Sequence, residues 1–93
     1  MDERVKDIEQ VADLIRGIRV AMLTTVDGDG ELRSRPMATQ EVDFDGTLWF
    51  FTEAGSEKAA ELERDARVNV AYADEGRARY VSLSGAARLV HDR

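Results

Sequence analysis

The spacing of apolar positions at the start of the chain predicts an amphipathic helix from Asp2 to Arg16. Apolar side chains recur there every three or four residues, which places them on one helical face. The members of this face are Val5, Ile8, Val11, Ala12 and Ile15. Gly17 follows the helix and suits its C′ position, because glycine adopts a positive φ at little cost. We interpret the helix as a packing element without chemistry of its own.

The pattern then changes to the alternation and β-branched content that are typical of strands. The first predicted strand runs from Ile18 to Val26 and ends at the turn sequence Asp-Gly-Asp-Gly, residues 27–30. The second runs from Glu31 to Asp43. Its two faces carry Arg33, Arg35, Met37 and Thr39 on one side and Leu32, Ser34, Ala38 and Val42 on the other. Pro36 cannot donate a backbone hydrogen bond, so it predicts an edge strand or a bulge whose neighbouring backbone can meet a ligand.

Three further strands and a second helix complete the predicted order. Thr47 to Thr52 is apolar on both faces, which predicts a strand covered by the core on one side and by a second subunit or a flat ligand on the other. A helix follows from Ser56 to roughly Asp65. The last strands are residues 67–74 and 79–90, and Gly85 predicts a bulge or bend. Five strands with mostly hairpin connections predict a mainly β fold with flanking helices (α+β), arranged as a small antiparallel barrel that is open or barely closed.

Composition narrows the class of protein. The chain has 93 residues, of which 43% are hydrophobic and 34% charged, and this predicts one soluble globular domain over residues 1–93. No apolar run is long enough to span a membrane, no signal peptide opens the chain, and cysteine is absent, which fits a cytoplasmic protein. The net charge of −6 argues against nucleic acid as the main partner. His91 is the only histidine and lies near the C-terminus, which argues against a catalytic triad or a metal site.

Lys58 is an unusual residue for the first turn of the second predicted helix. The N-terminus of a helix is already electropositive, so a lysine there adds to a positive field. Together with Arg33 or Arg35, this would make a site for a phosphate group. From the local sequence alone, the alternative that Lys58 is an ordinary solvated lysine stays ahead.

Four segments, in order and at consistent spacing, carry a resemblance to a known family. They are Arg33-Ser34-Arg35-Pro36-Met37, Leu48-Trp49-Phe50-Phe51-Thr52, Ser56-Glu57-Lys58, and the strand pair that contains Arg67-Val68-Asn69-Val70-Ala71-Tyr72 and Tyr80-Val81-Ser82-Leu83-Ser84-Gly85. Through them, nearly the whole chain resembles the pyridoxamine 5′-phosphate oxidase-like family, and within it the bacterial general stress protein branch. The resemblance implies an FMN-binding split β-barrel that forms a homodimer and holds the flavin at the subunit interface.

The resemblance also implies which residues bind the flavin. Five consecutive residues would line the flavin ring and ribityl chain, with one of the two arginines reaching the phosphate: Arg33, Ser34, Arg35, Pro36 and Met37. Phe51 and Thr52 would contact FMN from the next strand, and Lys58 with Ser56 would hold the phosphate. Tyr80 or Ser82 would approach the flavin of the partner subunit. With this family in view, the phosphate interpretation of Lys58 becomes the preferred one.

The chain departs from the family pattern in two places. Family members usually continue with another helix and at least one more strand, whereas this chain stops at Arg93, so we expect the C-terminal part of the family fold to be absent. Ala66 stands where the family commonly has proline at the start of the fourth strand, a change that we expect to be harmless.

Three functions remain open at this point. The sequence shows no activated nucleophile, so redox chemistry would come from the cofactor, and the leading interpretation is a flavin-dependent oxidoreductase of unknown substrate. A second is a flavin carrier or stress-related flavoprotein without a substrate pocket. A third is a flavin-free dimeric interaction module. The residues by which pyridoxamine-phosphate oxidases hold their substrate lie largely in the C-terminal part, so the sequence does not identify a substrate.

Overall fold

The structure, a computed structural model, describes residues 3–40, 44–51 and 57–90, with side chains from residues 7–40, 44–51 and 59–90. Two helices and four strands follow one another along the described residues. They are α1 (Glu3–Ile15), β1 (Val20–Val26), β2 (Leu32–Ala38), α2 (Glu57–Arg64), β3 (Arg67–Asp74) and β4 (Arg79–Ala86). Neither described helix is long and apolar enough to cross a membrane.

The four strands form one antiparallel sheet in the order β2-β1-β3-β4. Two hairpins, β1–β2 and β3–β4, therefore meet along their first strands, and α2 lies in the connection between them. Leu23 in β1 is paired with Arg35 in β2 on one side and with Val70 in β3 on the other. This places the middle of the arginine-bearing strand beside the centre of the sheet.

Pro36 lies on an edge strand, as predicted. Within the described residues β2 pairs only with β1, opposite Met22. Backbone hydrogen bonds join Asp27 to Glu31 (2.8 Å) and Thr39 to Arg19 (2.9 Å) at the two ends of this hairpin. Since hydrogen-bonded pairs alternate with non-hydrogen-bonded pairs in an antiparallel ladder, Met22 and Pro36 form a non-hydrogen-bonded pair. The proline nitrogen thus faces away from β1, so the missing N–H removes no hydrogen bond between β1 and β2.

One face of the sheet is buried and the other is exposed. Side chains alternate along each strand, and the inner face carries the core. The buried apolar residues of this core are Ile18, Ala21, Leu23, Met37, Val70 and Tyr72. Ile15 from α1 packs against it, as do Leu48 and Phe50. The core of the described residues is therefore small and one-sided.

The hairpin turns and the end of α1 follow local sequence chemistry. The Asp27 carboxylate accepts hydrogen bonds from the N–H groups of Asp29 and Glu31, both at 2.9 Å, and Gly30 has φ 82°. Gly17 has φ 83°, which confirms it as the residue that ends α1. Arg79 then donates to the Asp13 carbonyl at 3.1 Å, where the positive guanidinium complements the C-terminal end of the helix.

The prediction of five strands is wrong for the described part of the chain, and the sheet is open. Residues 47–51 form no strand, and Thr52 lies outside the described residues. Leu48 and Phe50 are half-buried while Trp49 and Phe51 are 53% and 82% exposed, so this segment alternates like a strand without pairing like one. The apolar pattern correctly indicates burial only for the parity of Leu48 and Phe50, and burial of side chains does not require backbone pairing. A closed or split barrel is thus not formed by the described residues.

Smaller differences concern strand ends. β2 ends at Ala38, before the predicted Asp43, which lies outside the described residues. β4 ends at Ala86, before the predicted Val90. Of the bulge or bend predicted at Gly85, the bulge is wrong, because Gly85 pairs with Val68 in an unbroken register. Glycine weakens a strand without obliging it to bulge, so its presence alone did not fix the geometry.

Candidate functional site

The alternation of β2 divides the arginine-bearing motif between the two faces of the sheet. Arg33 and Arg35 pair with Thr25 and Leu23, whose side chains are buried, so both arginines lie on the inner face with Met37. Met37 is 9% exposed and belongs to the core. Ser34 and Pro36 lie on the exposed outer face. The five motif residues therefore do not form one continuous surface of side chains.

Arg33 and Arg35 converge on a single carboxylate, that of Glu61 in α2. Arg33 donates from one terminal nitrogen to Glu61 Oε1 at 3.1 Å. Arg35 donates to Glu61 Oε2 at 3.0 Å. Glu61 lies four residues after the start of α2, which is about 6 Å along the helix axis. The pair of ion contacts thus joins the edge strand to the first turns of α2.

Thr25 completes this cluster from the central strand. Its hydroxyl donates to Glu61 Oε2 at 2.8 Å and accepts from the second terminal nitrogen of Arg35 at 2.8 Å. Thr25 is 0% exposed and Glu61 is 2% exposed. No buried side-chain polar atom of the described residues lacks a hydrogen-bond partner. Glu61, Thr25 and Arg35 therefore form a closed ring of hydrogen bonds, with Arg33 attached to it.

Glu61 is held in its ionised form. Burial alone would raise its pKa, but the hydrogen bond from Thr25 and the positive charges of Arg35 and Arg33 outweigh burial and bring the pKa below its ordinary value. Two guanidinium groups then share one carboxylate. The three side chains together carry one excess positive charge at neutral pH.

The cluster opens to solvent on the side of Arg33. The side chain of Arg33 is 48% exposed, whereas that of Arg35 is 21% exposed. Beside Arg33 lies a depression of about 350 Å³. Its lining consists of Asp27, Gly28, Asp29, Arg33, Ala60, Glu61 and Arg64. Three carboxylates and two arginines therefore line it, and the formal charge of its wall is −1 at neutral pH.

The remaining described candidates lie on the outer face or away from the cluster. Ser34, Pro36, Tyr80 and Ser82 are all exposed on the outer face. Pro36 and Ser82 occupy the same row through Met22 and Ala71, at three strand spacings, or about 14 Å. Phe51 is 82% exposed and lies outside the core. The structure thus brings Arg33 and Arg35 together and keeps Tyr80 and Ser82 apart from Pro36.

A row of small polar side chains crosses the outer face of all four strands. Ser34 and Thr24 are paired across β2 and β1, with their hydroxyl oxygens 2.6 Å apart. Asn69 in β3 is opposite Thr24 and donates from its amide to Ser82 at 2.8 Å and to Ser84 at 3.1 Å. This row is uncharged and lies on a flat, exposed surface.

A larger cleft of about 730 Å³ lies at the other end of the sheet. It is bordered by the end of α1 and by residues 44–50, and its aromatic lining residues are Phe44, Trp49, Phe50 and Tyr72. Arg19, at this end of β1, is six residues from Thr25, about 20 Å along an extended chain. The cleft is therefore separate from the arginine cluster.

Three predicted site residues are not placed in side-chain detail. Thr52 and Ser56 lie outside the described residues. Lys58 is the second residue of α2, and its side chain lies outside the described part. The backbone position of Lys58, three residues before Glu61, confirms the predicted location in the first turn. Its contact with a phosphate stays a prediction.

Sequence reasoning missed Glu61 and Thr25. Thr25 shares the parity of Ala21 and Leu23 in β1, which was a signal that its hydroxyl is buried. A buried hydroxyl needs a hydrogen-bond partner. Nothing in the sequence of α2 marks Glu61 as that partner, because thirty-six residues separate the two side chains.

Comparison with known proteins identifies one family. A family model described as "Pyridoxamine 5′-phosphate oxidase like" matches residues 6–93. Among solved structures, a conserved hypothetical protein from Mycobacterium tuberculosis is 32% identical, with a TM-score of 0.79 over 99% of this chain. A protein of unknown function from Agrobacterium tumefaciens is 25% identical, with a TM-score of 0.73 over 98% of this chain. None of the curated proteins matches the chain.

A further similar structure shares the fold. It is a protein from Clostridium acetobutylicum related to general stress protein 26 of B. subtilis and assigned to the pyridoxinephosphate oxidase family. It is 18% identical, with a TM-score of 0.76 over 99% of this chain. The chain spans 55%, 63% and 41% of the lengths of the proteins from M. tuberculosis, C. acetobutylicum and A. tumefaciens.

Proposed function

Because the chain belongs to the pyridoxamine 5′-phosphate oxidase-like family, we propose that it is an FMN-binding flavoprotein domain and a flavin-dependent oxidoreductase of unknown substrate. When bound, the flavin would supply the hydride or electron transfer, while the protein supplies binding and electrostatics. The two alternatives from the sequence, a flavin carrier and a flavin-free interaction module, differ from this proposal in what they bind and turn over.

The observation that carries the proposal is the convergence of Arg33 and Arg35 at the start of α2. Two guanidinium groups meet one carboxylate there, which leaves one excess positive charge. Arginine suits phosphate because its planar group donates several hydrogen bonds in a fixed geometry. The Arg33 side chain is 48% exposed at the edge of a depression and contacts Glu61.

The proposal places the phosphate end of FMN between the arginine cluster and the first turn of α2, beside a depression whose wall has three carboxylates and two arginines. The arginine cluster supplies the excess positive charge, and the first turn of α2 carries Lys58 at the position expected from the family resemblance. Ser56 and Lys58 would hold the phosphate together with an arginine of the cluster. The mixed charges around the depression indicate a site of modest anion affinity.

The ring end of FMN would meet the β2 edge. Ser34 and Pro36 lie on the outer face at this edge, where backbone groups face away from β1. Arg35 and Met37, on the other face, would support that backbone from behind. Phe51 and Thr52 would contact FMN from the adjoining segment, as the family resemblance implies.

Tyr80 and Ser82 would contact the flavin of a partner subunit. Ser82 lies about 14 Å across the sheet from Pro36, so one ring beside Pro36 does not reach Ser82 of the same chain. Tyr80 is 65% exposed on the same face. In a homodimer, the outer face of one subunit can complete the flavin site of the other.

The composition of the outer face supports the homodimer. Each of the four strands contributes four residues to this face, sixteen in all, and Arg67 is the only charged one among them. A chain that is 34% charged would place about five charged residues on an average surface of that size. A flat, uncharged surface with exposed Val20, Met22, Leu32 and Tyr80 is typical of a covered interface.

Titration with FMN and with riboflavin tests the proposal. The two flavins share the ring and the ribityl chain and differ in the phosphate, so the ratio of their dissociation constants measures the contribution of the phosphate. We expect FMN to bind at least about tenfold more tightly than riboflavin. Equal dissociation constants for FMN and riboflavin would contradict the proposed phosphate site. If neither flavin binds, the flavin-free interaction module is favoured.

The uncharged outer face of the sheet also supports the alternative function, a flavin-free dimeric interaction module. An uncharged face that meets a second copy requires no cofactor, and dimerisation alone would explain it. The visible spectrum of the purified protein separates the two: flavin absorbance supports the flavoprotein, whereas a colourless dimer that takes up no added flavin supports the module. Turnover of NADH or NADPH by the flavin-loaded protein would separate an oxidoreductase from a carrier.

A further inference from the structure

We propose that the cleft between the end of α1 and residues 44–50 binds a small planar aromatic carboxylate, whose charged end is held by the Arg19 guanidinium and the Tyr72 hydroxyl. The cleft lies at the opposite end of the sheet from the arginine cluster. Binding there does not rest on the proposed flavin function.

The cleft has the size and the lining of a small-molecule site. Its volume of about 730 Å³ lies within the range of about 300–1,000 Å³ that is usual for ligand pockets. Phe44, Trp49 and Phe50 supply aromatic surface. Trp49 is 53% exposed although its side chain is large and apolar, so part of its ring is open to contact with a ligand. A planar ring would lie against this aromatic wall.

Tyr72 is a buried side chain whose polar end meets the cleft. It is 4% exposed and belongs to the core, and it also lines the cleft. Its hydroxyl has no hydrogen-bond partner among the described residues, whereas every buried side-chain polar atom of those residues has one. The hydroxyl oxygen is therefore not buried and faces the cleft. Burial of the ring raises the pKa of Tyr72, so the hydroxyl is protonated at neutral pH and can donate to an anion.

Arg19 lies at the rim of the cleft on the same side of the sheet as Tyr72. It directly precedes β1 and shares the parity of Ala21, which is buried on the inner face. Ala21 is paired with Tyr72, so the Cα atoms of Arg19 and Tyr72 are about 8 Å apart, two residues along one strand and one strand across. The carboxylate of one small ligand can therefore reach both side chains.

The acidic side chains near this rim are already paired. Asp13 contacts Arg16 at 3.0 Å, and Asp74 contacts Arg77 at 2.6 Å. No described carboxylate forms an ion pair with Arg19, and the described lining of the cleft contains no aspartate or glutamate. These five side chains together carry one excess positive charge, in a protein whose net charge is −6. The charge and the aromatic wall together favour an aromatic anion.

A titration of the full chain with 2-naphthoate tests this assignment. Trp49 is the only tryptophan of the chain and lines the cleft, so its indole N–H gives one NMR signal that reports on this site. The shift of that signal, measured at one ionic strength, gives the dissociation constant. 2-Naphthamide has nearly the same shape without the charge, and cyclohexanecarboxylate has the charge without the aromatic rings.

We expect 2-naphthoate to bind with a dissociation constant of about 1 mM or below, and both analogues to bind at least about threefold more weakly. Arg19→Gln should weaken 2-naphthoate about three- to fivefold and leave 2-naphthamide nearly unchanged, because an exposed charge is lost. Tyr72→Phe should weaken 2-naphthoate about threefold or more, because a hydrogen-bond donor is lost. Arg88→Gln is the matched control: it removes an exposed arginine beyond the far end of β4 and should bind 2-naphthoate as the wild type does.

No shift of the Trp49 signal at millimolar 2-naphthoate would overturn the inference. So would an affinity for either analogue equal to that for 2-naphthoate, equal losses in Arg19→Gln and Arg88→Gln, or a folded Tyr72→Phe that binds as tightly as the wild type. Circular dichroism checks the fold of each variant, and if Tyr72→Phe does not fold, Arg19→Gln and its control decide. Each of these failures differs from a failure of the flavin proposal, which is tested with FMN and riboflavin.

Discussion

The hydroxyl of Thr25 and the carboxylate of Glu61, thirty-six residues apart, form a buried hydrogen bond of 2.8 Å that joins the central strand to α2. Only two described side chains of α2 are buried, those of Ala59 and Glu61. Polar contacts from Glu61 to the sheet therefore accompany the burial of Ala59 in holding this helix. These contacts also fix the two arginines of the edge strand.

Replacing Thr25 by valine should destabilise the fold by about 1–3 kcal/mol, because Glu61 loses a donor and Arg35 loses an acceptor in a buried site. Valine has nearly the same shape, so the loss reports the hydroxyl. Thr24→Val is the matched control, since Thr24 is on the outer face and contacts Ser34. Chemical denaturation measures both variants, and equal losses would show that the Thr25 hydroxyl has no special role.

The stability of the protein should fall in acid partly through Glu61. Its pKa is lowered in the folded state, so its contribution is fully present above the pKa of the unfolded chain, near the ordinary value of 4.5, and is lost as pH falls through the folded value. Asp65, whose hydrogen bonds from Arg67 lower its pKa to about 2, contributes with the same sign.

The variant Glu61→Gln distinguishes the contribution of Glu61 to the pH dependence of stability from that of Asp65. The loss of unfolding free energy between pH 7 and pH 3 should be smaller in Glu61→Gln than in the wild type, and the remainder reports Asp65 and other acids. Denaturant titrations at the two pH values give the comparison. An identical acid dependence in both proteins would mean that the pKa of Glu61 is not lowered by folding.

Leu32→Glu should weaken the proposed homodimer. Leu32 is 75% exposed on the outer face, and a carboxylate there would have to lose its hydration when a second copy covers it. Gln10→Glu adds the same charge at an exposed position of α1 and serves as the control. Sedimentation equilibrium should show a dimer for the wild type and the control, with dissociation in Leu32→Glu. A wild type that is a folded monomer at micromolar concentration contradicts the proposal.

Lys58→Ala should weaken FMN by about ten- to a hundredfold, because a charged hydrogen bond to a phosphate contributes about 1.5–3 kcal/mol. Riboflavin affinity should stay nearly unchanged. Arg16→Ala removes an exposed cation at the end of α1, away from the arginine cluster, and should have a smaller effect. If Lys58→Ala lowers the affinities of FMN and riboflavin equally, Lys58 supports the fold instead of the phosphate.

The parts of the fold that local chemistry determines could be predicted from the sequence. Residues 27–30 give a turn through the Asp27 carboxylate, Pro36 lies on an edge strand, and β3 has its predicted limits of Arg67 and Asp74. The shared parity of Arg33 and Arg35 is also observed. Each of these features depends on residues close together in the chain.

The parts that depend on distant contacts could not be predicted. In the sequence, Glu61 has the pattern of a surface residue of a helix. Its contacts with Thr25 and the two arginines arise only when the folded sheet lies beside α2. Residues 47–51 have the composition of a strand, but a strand requires a neighbour for its backbone, and composition does not supply one. The proposed flavin site was inferred from a family resemblance and not from any single motif.

Thermal unfolding with excess FMN, compared with excess riboflavin, tests the central claim most directly. A ligand that binds only the folded state stabilises it by RT ln(1 + [L]/Kd), so FMN should raise Tm in a concentration-dependent manner. Riboflavin at the same concentration should raise it less, because it lacks the phosphate that the arginine cluster and Lys58 would hold. No shift in Tm at millimolar FMN would contradict the assignment of this chain as a flavoprotein.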